Sequence, residues 1–162
     1  MRDTLFTQFE HLGDAQDYAA DIHEIFGSVP LFEPLALEET TLLCHFMAVY
    51  SAHTGAVLMP QGSAPQHMVI LLTGKAQVVQ TLANGGSVIR YALEPGGTFG
   101  ELAMLDGQAL HASCVSSEPV DFVVISRQAF RDLMLTLPRL ANKLLLLFLH
   151  EAALRLRTIQ PT

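Results

Sequence analysis

Between residues 47 and 126 the sequence consists of short apolar or alternating runs, each closed by turn-forming residues. Asn84-Gly85-Gly86 separates two strand-like runs, a combination typical of a tight β-hairpin. Pro95-Gly96-Gly97 marks a second tight turn. Strands at regular spacing with glycine turns between them predict a small β-barrel or a jelly roll.

Helical periodicity replaces this pattern at both ends of the chain. The N-terminal segment, residues 1–28, is predicted to be helical because it contains one apolar stripe at helical spacing. The stripe consists of Tyr18, Ile22, Ile25 and Phe26. After Ser126, a favoured N-cap residue, the sequence is helical to its end, and Pro138 opens a second helix, as proline often does in a first turn.

The second C-terminal helix carries two apolar faces. One face has heptad spacing and consists of Leu145, Leu149, Ala152, Leu156 and Ile159, and the other consists of Leu144, Leu147 and Leu154. One face can pack on the β-roll while the other needs a partner, which predicts a homodimer through the helix at 138–159. The alternative is a helix buried on both sides within one subunit.

We therefore expect three parts in the chain. They are an N-terminal helical segment (1–28), a β-roll with the first C-terminal helix (29–137), and a long C-terminal dimerisation helix (138–162).

Composition argues against several function classes. Half of the 162 residues are hydrophobic and 15% are charged, so the chain can bury a core. The formal net charge is −7 and no basic run is present, so the electrostatic footprint of a nucleic-acid binder is missing. The N-terminus is too polar for a signal peptide, and the longest apolar run is too short to span a membrane. Two cysteines without metal or disulfide spacing indicate a cytoplasmic protein.

Neither a catalytic constellation nor a metal site stands out. The histidines form no H-x-H pair with a nearby glutamate, so no metal is expected. Ser113 and Cys114 adjoin His111, but strand alternation places Cys114 on the opposite face from the other two. The sequence also lacks a G-x-S-x-G motif. We therefore expect a protein that is not an enzyme and that carries no cofactor.

Residues 99–115, FGELAMLDGQALHASCV, have the features of a pocket for a small anion. The glycines at 96, 97 and 100 allow a close approach of the backbone to a ligand. Glu101, Leu102 and Ala103 begin a short helix, whose unpaired N–H groups favour an anion. A glutamate at a helix start is also favourable without any ligand, which is the alternative interpretation of Glu101.

This stretch and two others resemble the cyclic nucleotide-binding domain family, the sensor module of catabolite-activator-type regulators. SVPLFEPLALEET is similar to the helix that precedes the family's β-roll, and GAVLMPQGSAPQHMVILLTGKAQV is similar to its strand pattern. The similarity runs from about Ile25 to Arg157. It implies a mainly β fold with flanking helices: a jelly roll, or double-stranded β-helix, with N-terminal helices and a C-terminal helix pair. Residues 95–115 would form the phosphate-binding cassette.

The resemblance also implies which residues bind the ligand, cAMP or cGMP. Glu101 matches the glutamate that accepts a hydrogen bond from the ribose 2′-hydroxyl. His111 stands where the family has an arginine that pairs with the cyclic phosphate. The candidate ligand-binding residues are Phe99, Gly100, Glu101, Leu102, Ala103, His111, Ala112, Ser113 and Arg90.

The histidine at position 111 predicts weakened or altered ligand binding. Arginine carries a permanent charge and a planar fork of donors, whereas neutral histidine offers one donor. Losing such a contact to a buried anion costs about 2–5 kcal/mol, or roughly 30-fold to several thousand-fold in affinity. Two groups can restore the charge: His111 itself, protonated when a phosphate docks, or Arg90, on a strand that by family register runs past the base.

Two functions remain open at this point. The first is a stand-alone sensor that binds a cyclic nucleotide, forms a homodimer and signals through the helix at 138–159 to an unidentified protein partner. The second is a degenerate, ligand-independent dimerisation or docking module. Because the printed sequence ends at Thr162, directly after that helix, no DNA-recognition helix can be drawn. We therefore expect contact with neither nucleic acid nor membrane.

Overall fold

A computed structural model describes residues 9–27 and 34–159. Within these residues the chain forms nine strands and five α-helices. The strands are β1 (Glu10–Asp14), β2 (Met47–Ala52), β3 (Val57–Met59), β4 (His67–Thr73), β5 (Ala76–Thr81), β6 (Ser87–Leu93), β7 (Thr98–Phe99), β8 (Ser113–Ser116) and β9 (Val120–Ser126). The helices are α1 (Ala19–Gly27), α2 (Leu37–Cys44), α3 (Glu101–Asp106), α4 (Arg127–Thr136) and α5 (Pro138–Ile159).

The strands form two antiparallel sheets. One sheet has the order β1-β2-β9-β4-β7 and the other has the order β3-β8-β5-β6. Residues from both sheets share one apolar cluster, which places a core between them. A second cluster joins the other face of the five-stranded sheet to the helices. The mainly β jelly roll with flanking helices is thereby confirmed.

Strand β4 shows why its sequence reads as a nearly continuous apolar run. Val69 and Leu71 belong to the core between the sheets, whereas Met68 and Ile70 belong to the core beneath the helices. Successive side chains of a strand point to opposite faces, so a strand covered on both faces needs apolar residues at every position.

The predicted hairpin turn and the predicted helix cap are both present at the residues expected from the local sequence. The hairpin between β5 and β6 closes at Asn84-Gly85-Gly86, where the Leu82 amide donates to the Gly86 carbonyl at 2.7 Å. Ser126 caps α4 by accepting a hydrogen bond from the Ala129 amide at 3.0 Å. Both predictions are confirmed.

The predicted N-terminal helix is only partly correct. Its apolar stripe does pack inward, with Ile22 and Phe26 buried on α1. Residues 10–14, however, form strand β1, which pairs with the edge of β2 and contains a bulge between His11 and Gly13. The helix prediction is wrong there because backbone pairing with a distant strand overrides the local pattern. Residues 1–8 and 28 lie outside the described residues.

Helix α5 buries one apolar face and exposes the other. Leu144 and Leu147 lie in the core beneath the helices, whereas Leu149 is 64% exposed and Leu156 is 60% exposed. Leu154, predicted on the same face as Leu144, is exposed as well. The alternative of a helix buried on both sides within one subunit is therefore wrong. The side chain of Ile159 lies outside the described residues.

A buried ion pair fastens α5 to α2. The buried Lys143 ammonium donates to Glu39 Oε1 at 2.7 Å, to Glu39 Oε2 at 3.0 Å and to the Pro34 carbonyl at 3.1 Å. The hydrogen bond from Lys143 lowers the pKa of the Glu39 carboxyl. This contact fixes the first half of α5 against the body of the domain.

Across the described chain, no helix has the length and hydropathy needed to cross a bilayer.

Candidate ligand-binding site

A cavity of about 490 Å³ lies between strands β5 and β6, helix α3, the loop that follows α3, and helix α5. A volume of this size falls within the roughly 300–1,000 Å³ range of small-molecule sites. Eight of the nine predicted ligand-binding residues line it. They are Phe99, Gly100, Glu101, Leu102, Ala103, His111, Ala112 and Arg90. The loop before Glu101 and the segment that carries His111 therefore converge on one concave surface.

Helix α3 is short and is bounded by two glycines. Gly100 precedes it with φ +86°, and Gly107 follows it with φ +73°, both in the left-handed region that favours glycine. A Cβ atom on Gly100 would lie 2.7 Å from the Met59 methyl carbon and 3.3 Å from the His67 carbonyl oxygen. Glycine at this position thus lets the cassette backbone pack directly on strand residues and sets the direction in which Glu101 leaves the chain.

Ser113, the ninth predicted residue, does not line the cavity. Its hydroxyl oxygen accepts a hydrogen bond from the Gln61 amide at 2.8 Å. The alternation argument placed His111 and Ser113 on one face, but strand β8 begins only at Ser113, and His111 lies in a bend before it. Because the bend interrupts the two-residue period, the two side chains point to different environments.

His111 and Arg90 lie on the open side of the cavity. His111 is exposed. Arg90 is also exposed, and its Nε donates to Gln80 Oε1 on the neighbouring strand at 2.7 Å. Both groups are therefore available at the cavity mouth.

Sequence reasoning missed Arg155, which enters this cavity from α5. Its Nη1 donates to Glu101 Oε1, and its Nη2 donates to the Thr98 carbonyl oxygen and, at 2.9 Å, to the Thr98 hydroxyl. The guanidinium carbon also lies 5.3 Å from the centre of the Tyr91 ring. Arg155 and Glu101 are separated by 54 residues, so no local pattern connects them.

The ion pair between Arg155 and Glu101 is withdrawn from solvent. The Glu101 side chain is 0% exposed and that of Arg155 is 17% exposed. Glu101 Oε2 and Arg155 Nε are buried and have no hydrogen-bond partner among residues 9–27 and 34–159. Each partner thus keeps one unused polar atom.

Burial also shifts the pKa values of two ionisable side chains near this ion pair, Tyr91 and Glu151. Burial raises the pKa of the Tyr91 phenol to about 12, so this side chain is neutral at physiological pH. Burial also raises the pKa of the Glu151 carboxyl, and the nearby Arg155 charge opposes that rise.

A second cavity of about 680 Å³ adjoins the first on the far side of Arg155. It shares Arg90, Tyr91 and Arg155 with the first cavity. Its other walls come from the turn after β6 and from the last turns of α5, including Glu151. The Arg155 side chain therefore forms part of the partition between the two cavities.

Within residues 9–27 and 34–159, no group of three or more His, Cys, Asp or Glu side chains could hold a metal ion. Burial raises the pKa of the Cys114 thiol to about 12, so it is protonated and a poor nucleophile.

Comparison with known proteins agrees with this geometry. Residues 50–136 match the sequence profile of the cyclic nucleotide-binding domain. The chain is 31% identical over 130 residues to the cyclic AMP receptor protein of Thermus thermophilus, covering 78% of this chain and 60% of that protein. It is 32% identical over 133 residues to the acetyltransferase Pat of Mycolicibacterium smegmatis, covering 78% of this chain and 37% of that protein. The chain thus spans less than two thirds of the length of either relative.

A solved structure extends the similarity over nearly the whole chain. The crystal structure of a cyclic nucleotide-binding domain from Methylobacillus flagellatus superposes with a TM-score of 0.91. The two chains are 33% identical, and the match covers 98% of this chain and 92% of that one. This chain belongs to the cyclic nucleotide-binding domain family.

Proposed function

We propose that this chain is a non-enzymatic regulatory domain that binds a cyclic nucleotide in the 490 Å³ cavity and signals to a protein partner through α5. The observation that carries the proposal is the convergence of Glu101 and His111 on that one cavity. Glu101 receives the ribose hydroxyl, and His111 makes the contact to the cyclic phosphate. Because α5 supplies Arg155 to the same cavity, a ligand there acts on the position of this helix.

His111 makes the affinity or the ligand preference differ from that of a site with arginine at this position. Arginine at position 111 would add a permanent charge and a second donor next to the phosphate. With a gain of about 2–5 kcal/mol, the His111→Arg variant binds cAMP roughly 30-fold or more tightly than the natural chain.

Calorimetric titration with cAMP and cGMP, at pH 6 and pH 7.5, tests this proposal. The matched control is His53→Arg, which makes the same change at an exposed histidine that does not line the cavity. A gain in affinity with His111→Arg but not with His53→Arg supports the assigned phosphate contact. If neither the natural chain nor His111→Arg binds at millimolar ligand, the sensor function is wrong.

One observation favours the second function, a ligand-independent docking module. Arg155 already occupies the carboxylate that the ligand would need. A module of this kind keeps its shape with or without nucleotide, so the same titration separates the two functions.

We also propose that the chain forms a homodimer through α5. The supporting observation is the exposure of Leu149 and Leu156, which are seven residues apart on one face of the helix. Exposed leucines at this spacing fit a helix–helix contact with a second copy of the chain.

A further inference from the structure

Glu101 is inaccessible to a ligand in the arrangement that the structure describes. Its side chain has no solvent exposure, and one of its two oxygens accepts from Arg155. Its other oxygen is buried and has no hydrogen-bond partner among the described residues. A ligand hydroxyl therefore reaches the residue to which ribose recognition is assigned only after the groups packed on it move, and Arg155 is one of these groups.

The contacts of Arg155 connect the C-terminal end of α5 to the cassette. The guanidinium joins the Glu101 carboxylate to the carbonyl and hydroxyl oxygens of Thr98, which lies in strand β7 just before the glycine that precedes α3. Charge-assisted hydrogen bonds of this kind are the stronger ones in proteins. Helix α5 is thus linked to the ligand-binding segment by one side chain that makes several contacts.

Within one subunit, the described residues give the last turns of α5 little other support. The core beneath the helices includes Leu144, Leu147 and Phe148, but none of residues 149–158 is buried. Segments with few buried apolar contacts open at low free-energy cost. Within one subunit, the helix beyond Phe148 therefore depends on the Arg155 contacts for its position relative to the sheets.

The same helix provides a second carboxylate for Arg155. The second cavity lies beside the guanidinium, and its wall carries the Glu151 carboxylate one turn earlier on α5. Residues four apart on a helix are neighbours, so Arg155 can exchange Glu101 for Glu151 without leaving a cation unpaired.

We propose that Arg155 is an internal competitor for the ligand-binding carboxylate. In the absence of ligand it holds Glu101 and fixes the last turns of α5 to the cassette. A cyclic ribonucleotide displaces it, because the ribose hydroxyl reaches the buried carboxylate only when the guanidinium withdraws from it. Binding then frees residues 149–159, and this movement is the signal. The inference rests on the proposed function and names the contact through which α5 responds.

The competition predicts an unusual direction for the effect of removing Arg155. If the covered state dominates, the apparent affinity is reduced by the fraction of molecules in the open state. The Arg155→Gln variant therefore binds cAMP about tenfold more tightly than the natural chain. A residue that only contacts the ligand would give the opposite result.

The experiment combines calorimetry with hydrogen exchange of peptides that cover residues 149–159. Arg155→Gln is compared with Arg157→Gln, which makes the same change of charge at an exposed position outside both cavities. We expect faster exchange in the absence of ligand and tighter cAMP binding with Arg155→Gln, and neither effect with Arg157→Gln. In the natural chain, cAMP accelerates exchange of 149–159, whereas 2′-deoxy-cAMP, which lacks the competing hydroxyl, does not.

A second variant keeps the test decisive if Arg155→Gln does not fold. Glu101→Gln removes the charge that holds the guanidinium, so it accelerates exchange of 149–159 without any ligand. Unchanged exchange in this variant overturns the proposal, as does weaker cAMP binding by Arg155→Gln. Protection of 149–159 by cAMP also overturns it, because Arg155 would then close over the ligand. Binding without any change in α5 contradicts only this inference, whereas no binding by either the natural chain or His111→Arg overturns the proposed function as well.

Discussion

Gly100 and Gly107 bound the cassette helix α3 and offer a matched test of how this site is built. Both residues have positive φ, +86° and +73°. Alanine in the left-handed region costs roughly 1–2 kcal/mol. Replacing glycine also lowers the entropy of the unfolded chain, which returns about 0.4–1 kcal/mol to the folded state. The dihedral contribution to the loss of stability is therefore about 1 kcal/mol at either position.

The two positions differ in the space around them. A Cβ atom at Gly107 meets nothing within 4 Å, whereas one at Gly100 lies 2.7 Å from Met59 Cε and 3.0 Å from Met59 Sδ. Met59 is itself buried in the core between the sheets, so it can move only by disturbing its neighbours. Forcing extra volume into a packed core costs about 1–3 kcal/mol. Gly100→Ala therefore loses roughly 2–4 kcal/mol in total, and Gly107→Ala loses about 1 kcal/mol.

Urea and thermal unfolding of the two variants measure this difference. For a chain of this size each kcal/mol lowers Tm by about 2–4 °C, so Gly107→Ala loses a few degrees and Gly100→Ala loses roughly 5–15 °C. Titration with cAMP adds a functional readout. Gly100→Ala moves the start of α3 and with it Glu101, so it weakens binding, whereas Gly107→Ala stays within about threefold of the natural chain. Equal losses of stability in the two variants would refute the steric part of this reasoning.

Two further predictions concern α5. Glu39→Ala leaves the buried Lys143 ammonium without its carboxylate and costs about 3 kcal/mol, whereas Lys143→Met costs less because Glu39 is 28% exposed and regains water. The pKa of Glu39 is lowered on folding, so this stabilisation is fully present above the unfolded carboxyl pKa and is lost as pH falls through the lower folded value. Urea unfolding at several pH values checks both points; equal costs, or an unchanged acid limb in Glu39→Gln, would contradict them. The double variant Leu149→Lys and Leu156→Lys dissociates the proposed dimer, whereas Leu135→Lys, at an exposed leucine of α4, does not. Sedimentation velocity decides: a natural chain that is already monomeric at about 100 μM contradicts the dimer, and dissociation by Leu135→Lys contradicts its assignment to α5.

Most of the β-roll and most of the cassette could be predicted because their signals are local. The turn at Asn84-Gly85-Gly86 and the cap at Ser126 each depend on a few consecutive residues whose backbone preferences decide the conformation. The cassette is one continuous stretch of sequence. The positions of its glycines relative to Glu101 could therefore be predicted without knowing any distant contact. Strand β1 was missed because its hydrogen bonds go to β2, about 40 residues away. The sequence of residues 10–14 contains no periodicity that would predict this pairing.

Local sequence patterns were sufficient to predict the β-roll with its flanking helices and the short helix that begins at Glu101. The packing of α5 brings Arg155 to the Glu101 carboxylate, and no local pattern predicts that contact. The two kinds of feature differ in the distance along the chain over which their causes act. Backbone preferences and side-chain periodicity act over a few residues, whereas Arg155 and Glu101 are 54 residues apart and pair only because α5 packs against the sheets.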